Sequence, residues 1–140
     1  MKIVIIDGQG GRMGKAVIEQ LHCRFPELEL YAIGTNSIAT AAMLKAGADY
    51  GATGENPAIV NTRNADIVIG PVGIVMADSL LGEITPAMAN AIASSQAYKI
   101  LIPVNKCNHF ITGCQNVSLG ESIQIVCDEV ERKIHQHENR

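Results

Sequence analysis

Lys2-Ile3-Val4-Ile5-Ile6 runs straight into Asp7-Gly8-Gln9-Gly10-Gly11-Arg12-Met13-Gly14, and this stretch decides the fold. The first run is continuous and β-branched, the pattern of a strand buried on both faces. Four glycines within the seven residues 8–14 then lead into a helix-forming segment over 15–21. Glycine admits positive φ and lets the backbone approach a ligand closely. A helix that starts behind such a turn directs free N–H groups and the positive end of its dipole at whatever lies there. Strand, glycine turn and helix in this order are how a phosphate-cradling turn is written. The expected ligand is an anion or a nucleotide.

Working outward, the same alternation continues. Strands are expected over 2–6, 28–33, 66–70 and 99–104, with a short strand over 50–53. Helices are expected over 14–24, 37–46, 83–94 and 118–135, and a helical segment over 74–81. Residues 55–61 read either as a short helix beginning near Pro57 or as an extended crossing. Residues 110–112 read as a small edge strand, and 136–140 as a polar tail that frays. Alternating strands and helices give an α/β fold: a mostly parallel sheet of five or six strands with helices on both faces, in three layers and one domain.

Composition bounds the partners. With 47% hydrophobic and 18% charged residues, the chain reads as globular rather than disordered. No stretch reaches the roughly 18 apolar residues of a membrane span. The N-terminal run reads as a strand and not as a signal peptide, so a cytoplasmic location is expected. A net charge of −3 without a basic cluster argues against nucleic acid. So does the scarcity of aromatic stacking platforms, which are limited to Phe25, Phe110, Tyr31, Tyr50 and Tyr98. Cys23, Cys107, Cys114 and Cys127 match neither a redox pair nor a zinc ribbon and are expected to be reduced thiols.

The dinucleotide pattern G-x-G-x-x-G needs glycine at 8, 10 and 13, and position 13 is Met13. The register Gly8-x-x-Gly11-x-x-Gly14 is complete. Ligands of open parallel sheets sit at the carboxyl ends of the strands. Those ends carry Asp7, then Thr35 and Asn36, then Gly70, Pro71 and Gly73, then Asn105 and Lys106. Together with Gly8, Gln9, Gly10, Gly11, Arg12, Met13 and Gly14 they form the expected binding rim. The second strand ends in Gly34-Thr35-Asn36, with no carboxylate to hold ribose hydroxyls. NAD is therefore disfavoured, and NADP, a mononucleotide or a phosphorylated metabolite is allowed.

Catalytic candidates are few. Cys107 follows Lys106, whose charge favours a thiolate. Cys107, His109 and Cys114 lack a fourth ligand, so no metal is expected. Asp78 and Glu83 allow an acid–base pair, although capping the helix after Thr85 is the simpler role for Glu83.

The turn Gly8-x-x-Gly11-Arg12-Met13-Gly14 resembles the nucleotide loop of dihydrodipicolinate reductases, over residues 3–21 only. That resemblance implies a pyrophosphate site lined by Gly8, Gly11, Arg12, Met13 and Gly14. A wider set of segments covers nearly the whole chain. They are Ile5-Ile6-Asp7-Gly8-Gln9-Gly10-Gly11, Gly34-Thr35-Asn36-Ser37-Ile38-Ala39-Thr40, Lys45-Ala46-Gly47-Ala48-Asp49, Gly51-Ala52-Thr53-Gly54-Glu55-Asn56, Gly70-Pro71-Val72-Gly73-Ile74, Gly82-Glu83-Ile84-Thr85-Pro86-Ala87-Met88-Ala89 and Ile102-Pro103-Val104-Asn105-Lys106-Cys107-Asn108. These resemble a bacterial family known as domain of unknown function 3842, small stand-alone proteins similar to Rossmann-type domains. The resemblance implies a fold and transfers no catalytic residue.

The leading expectation is a small nucleotide- or phosphometabolite-binding protein. One alternative is an NADP-dependent reductase that builds its site as a homo-oligomer, since 140 residues leave no room for a second domain. Another is a partner-binding subunit with a vestigial pocket, its apolar stretch 67–76 and alanine-rich stretch 87–93 facing a symmetry mate.

Overall fold

The computed structural model describes residues 1–104 and 109–140. The elements alternate as β1 (Ile3–Asp7), α1 (Arg12–Arg24), β2 (Leu30–Gly34), α2 (Ser37–Lys45), β3 (Tyr50–Thr53), α3 (Glu55–Thr62), β4 (Ile67–Pro71), α4 (Pro86–Ser94), β5 (Tyr98–Ile102) and α5 (Leu119–Glu138). The five strands lie in the order β3-β2-β1-β4-β5, and every pairing is parallel. β1 is central, its Ile3 and Ile5 level with Leu30 and Ala32 of β2 and with Ile67 and Ile69 of β4.

Successive strand side chains point to opposite faces, so one sheet makes two cores. Ile3, Ile5, Leu30, Ala32, Ile67 and Ile69 pack on one side with Val17, Ile18 and Leu21 of α1 and Ile123, Val126 and Val130 of α5. Val4, Ile6, Ile33 and Val68 pack on the other with Ala58 of α3 and Met88, Ala89 and Ile92 of α4. The result is the expected α/β, three-layer arrangement with five strands. The stretches 67–76 and 87–93, expected to face a symmetry mate, instead send Ile67, Val68, Ile69, Met88, Ala89 and Ile92 into these cores. Their apolar character is accounted for within the protomer.

Helix starts follow local chemistry. The Asn36 side chain accepts from the Ala39 N–H at 2.9 Å to cap α2, and Thr85 accepts from Met88 N–H at 3.2 Å to cap α4, with Pro86 in its first turn. Ser118 accepts from Glu121 N–H at 3.1 Å to start α5. The helix continues to Glu138, into the stretch expected to fray. Residues 48–65 resolve into both β3 and α3, the latter starting at Glu55, two residues before Pro57.

Two expectations fail. Residues 74–81 do not form a helix. A short 3-10 turn, Val72–Val75, gives way to a strap in which Asp78, Leu80, Leu81 and Gly82 take φ of 64°, 56°, 54° and 87°. Left-handed residues in succession break the helical ladder. The strap is closed by Asp78 N–H donating to Ile84 O at 2.7 Å. As a result α4 begins at Pro86, and Glu83 lies outside it. Residues 110–112 are irregular backbone and turn rather than strand.

The glycines of the first turn divide into packing and open positions. Gly11 has φ +72°, and a Cβ there would lie 2.8 Å from the Ala39 Cα of α2. At Gly14 a Cβ would lie 2.9 Å from Asp7 Cβ. A Cβ on Gly10 would meet only Arg12 Cγ, at 3.8 Å. Gly11→Ala is therefore expected to cost about 2 kcal/mol or more, and Gly10→Ala close to nothing, in urea unfolding of the two variants. Equal losses would contradict this division.

Candidate binding site at the β1–β4 crevice

β1 leads into α1 on one face of the sheet, and β4 leads toward α4 on the other. The strands are neighbours, so their carboxyl ends open a crevice between diverging connections. A cavity of about 390 Å³ occupies this crevice. Its floor is the turn from Asp7 through Met13, and one wall is Pro71, Gly73, Ser79 and Leu80. Val104 and His109, from the connection between β5 and α5, and Leu119 at the start of α5 supply the remainder.

Asp7 organises the floor. It is buried at the end of β1, where Oδ1 accepts from Gly8 N–H at 2.8 Å and Oδ2 from Gly14 N–H at 2.7 Å. Burial pushes its pKa up. Hydrogen bonds from the Gly14, Gly8 and Met13 amides oppose that shift, and the nearby Glu83 charge adds to it.

Glu83 reaches the same turn from the strap. Its Oε1 accepts from Gln9 N–H at 3.0 Å, Thr35 Oγ1 at 2.6 Å and Asn36 Nδ2 at 2.6 Å, and its Oε2 accepts from Gln9 N–H at 3.2 Å. Burial raises its pKa, but the bonds from Thr35, Asn36 and Gln9 outweigh that, and the net shift is downward. The role expected for Glu83 as a helix cap is thus replaced by a contact 74 residues away in sequence. The contact also puts a carboxylate beside the end of β2, where the sequence carries none.

The expected rim residues separate accordingly. Asp7, Gly8, Gln9, Gly10, Gly11, Arg12, Met13, Pro71 and Gly73 line the cavity. Gly14 lies beneath the turn, bonded to Asp7. Gly70 is buried, and a Cβ there would run into the Ile6 carbonyl, a packing role. Thr35 and Asn36 were expected to donate to a ligand, but Glu83 takes the Thr35 hydroxyl and the Asn36 amide, which also bonds Gln9 O at 2.9 Å. Asn105, Lys106 and Cys107 lie outside the described residues.

Two backbone donors of the turn stay uncommitted among the described residues. Gly11 N–H bonds Gly8 O at 2.9 Å, and the amides of Gly8, Gln9 and Gly14 face carboxylates. The N–H groups of Gly10 and Arg12 have no acceptor among the described residues. Arg12 is exposed and forms no ion pair among them. Both ring nitrogens of His109 are buried without a hydrogen-bond partner among them.

Sequence reading singled out Glu83 but missed its contact with the turn, and it missed Ser79, Leu80 and the placing of His109. Ser79 donates to the Gly73 carbonyl and so ties the strap to the exit of β4. The recoverable signal was Gly82-Glu83 before a Thr85-Pro86 cap, a carboxylate on a loop that has to return to the rim.

The Glu83 contacts have a pH signature. A lowered folded pKa means stability that is full above the ordinary glutamate value of 4.5 and lost as pH falls through the lower folded value. Glu83→Gln is expected to cost about 1 kcal/mol at pH 7, allowing for partial solvent screening. That deficit should shrink progressively as pH falls below 4.5 in denaturant titrations, and a deficit independent of pH would contradict the assignment.

Comparison with known proteins agrees with this architecture. A dodecameric FMN-dependent UbiX-like decarboxylase from Escherichia coli O157:H7 superposes with a TM-score of 0.54 at 14% identity, covering 96% of this chain and 95% of that one. At that identity the likeness is one of fold. No curated protein matches the sequence. Among the described residues no helix is long and apolar enough to cross a membrane. The family of domain of unknown function 3842 matches residues 2–135, nearly the full length, and the chain belongs to that family.

Proposed function

We propose that the protein binds a nucleotide-type, phosphorylated small molecule in the β1–β4 crevice. The observation that carries this reading is the pair of uncommitted amides, Gly10 and Arg12, at the floor of a 390 Å³ cavity and the start of α1. A phosphate resting there meets two N–H donors, the dipole of α1 and the free guanidinium of Arg12. The cavity sits at the lower end of the roughly 300–1,000 Å³ range of small-molecule sites, which suits a mononucleotide better than a whole dinucleotide. The structural neighbour is described as FMN-dependent, and a flavin mononucleotide has the phosphate and the size this reading requires.

NADP is the less suitable of the expected cofactors. Glu83 stands where a 2′-phosphate would lie beside Thr35 and Asn36, and like charges there repel. An oligomer, as in the dodecameric neighbour, remains compatible with a cavity that is open on one side.

The test is calorimetric titration with FMN, AMP, NAD, NADP and inorganic phosphate against the wild type and Gly10→Ala. A Cβ at Gly10 makes only an ordinary contact with Arg12 Cγ, at 3.8 Å, in the free protein but intrudes on a bound anion. Charge-assisted bonds are worth about 1.5–3 kcal/mol, so binding should weaken about tenfold or more while the folded state is untouched. Absence of binding by every phosphate-bearing probe, or full affinity in Gly10→Ala, would overturn the reading. Arg12→Ala is expected to weaken the same ligands about tenfold and to flatten the salt dependence of binding.

A further inference from the structure

The cavity is chemically two-ended. The turn end offers amides and a guanidinium. The other walls offer Leu80, Val104, Leu119 and Pro71, which are apolar, and two polar side chains, Ser79 and His109. Both His109 nitrogens are buried and have no partner among the described residues. The cavity's other buried polar side chains are committed: Asp7 to the Gly8 and Gly14 amides, and Ser79 to the Gly73 carbonyl.

His109 is half-buried as a residue, but its two ring nitrogens are shut off from water with no partner among the described residues, which is unfavourable because they have lost solvent without regaining hydrogen bonds. An apolar side chain of similar size at position 109 would serve packing better. The ring has a use if a ligand supplies the missing partner. A neutral imidazole offers one donor and one acceptor. Set among apolar walls, it matches a flat, weakly polar ring with hydrogen-bonding atoms on its edge. A bare sugar phosphate has no such edge and would leave the apolar walls uncovered.

We propose that His109 reads the heterocyclic base of the bound nucleotide, so that the cavity is a base pocket with the phosphate at Gly10 and Arg12. This rests on the nucleotide reading above and goes beyond it in naming which part of the ligand fills the cavity. It also sets a selectivity: base-bearing mononucleotides over sugar phosphates.

The experiment compares AMP, FMN, ribose 5-phosphate and inorganic phosphate on the wild type, His109→Leu and His109→Gln, by titration and thermal midpoint. In the wild type at least one of AMP and FMN should bind about tenfold or more tighter than ribose 5-phosphate. In His109→Leu that preference should shrink by about tenfold while ribose 5-phosphate and phosphate are unaffected, and the midpoint without ligand should rise by about 2–4 °C. His109→Gln, which keeps a donor and an acceptor, should retain part of the preference. The histidine ¹⁵N signal lost in both variants should shift when the preferred nucleotide is added to the wild type.

Equal binding of ribose 5-phosphate and both nucleotides, or a preference unchanged in His109→Leu, would overturn the base pocket and leave phosphate binding at the turn intact. A lower midpoint in both variants would make the ring a packing residue and overturn the proposal as well. If no probe binds the wild type, both readings fall together.

Discussion

The structure depends on the Asp7 carboxylate. It closes β1 and holds the Gly8 and Gly14 amides, and in doing so fixes where the turn bends and where α1 begins. A buried carboxylate is tolerated because backbone dipoles face it from both sides, though burial still raises its pKa. Gly14 has to be glycine for the same reason, since a Cβ would crowd the Asp7 Cβ. The sharp entry into α1 is thus an electrostatic clamp as much as a property of flexible residues.

The clamp changes what the turn offers a ligand. A glycine-rich turn written as Gly8-x-x-Gly11-x-x-Gly14 suggests a full ring of donors. Asp7 and Glu83 take the amides of Gly8, Gln9, Met13 and Gly14. Gly11 is committed to the approach of α2. What remains is narrower and placed toward α1, at Gly10 and Arg12. Two carboxylates so close to the floor also restrict where negative charge can sit, and they favour hydroxyl donors over phosphate on the Glu83 side.

Much of the fold was legible because its signals are local. The β-branched runs 3–6 and 67–69 and the caps at Asn36, Thr85 and Ser118 each announce an element by residue type. Residues 48–65 were harder, because β3 is an edge strand with Tyr50, Gly51 and Thr53 exposed and no buried alternation to read. The strap at 76–84 misled because Asp78, Leu80 and Leu81 adopt left-handed φ that their side chains do not advertise. Of the site, the turn and the exit of β4 were legible from the rule that parallel sheets bind at their carboxyl ends. Thr35 and Asn36 were misread because their partner, Glu83, is 48 and 47 residues away. No periodicity encodes such a contact.

The position of β1 sets an order on how the molecule is made. β1 pairs on one side with β2, about 25 residues later, and on the other with β4, more than 60 residues later. Closing the second pairing costs loop entropy before any contact repays it. Until residue 67 has left the ribosome, one edge of the most apolar strand stays unpaired. The crevice cannot exist before that moment, although its floor, at residues 7–13, is synthesised well before β4. The remaining walls follow β4, with the strap and with the start of α5. The glycine turn is thus half of a crevice until β4 pairs, and a ligand of the proposed kind would act only on the finished sheet.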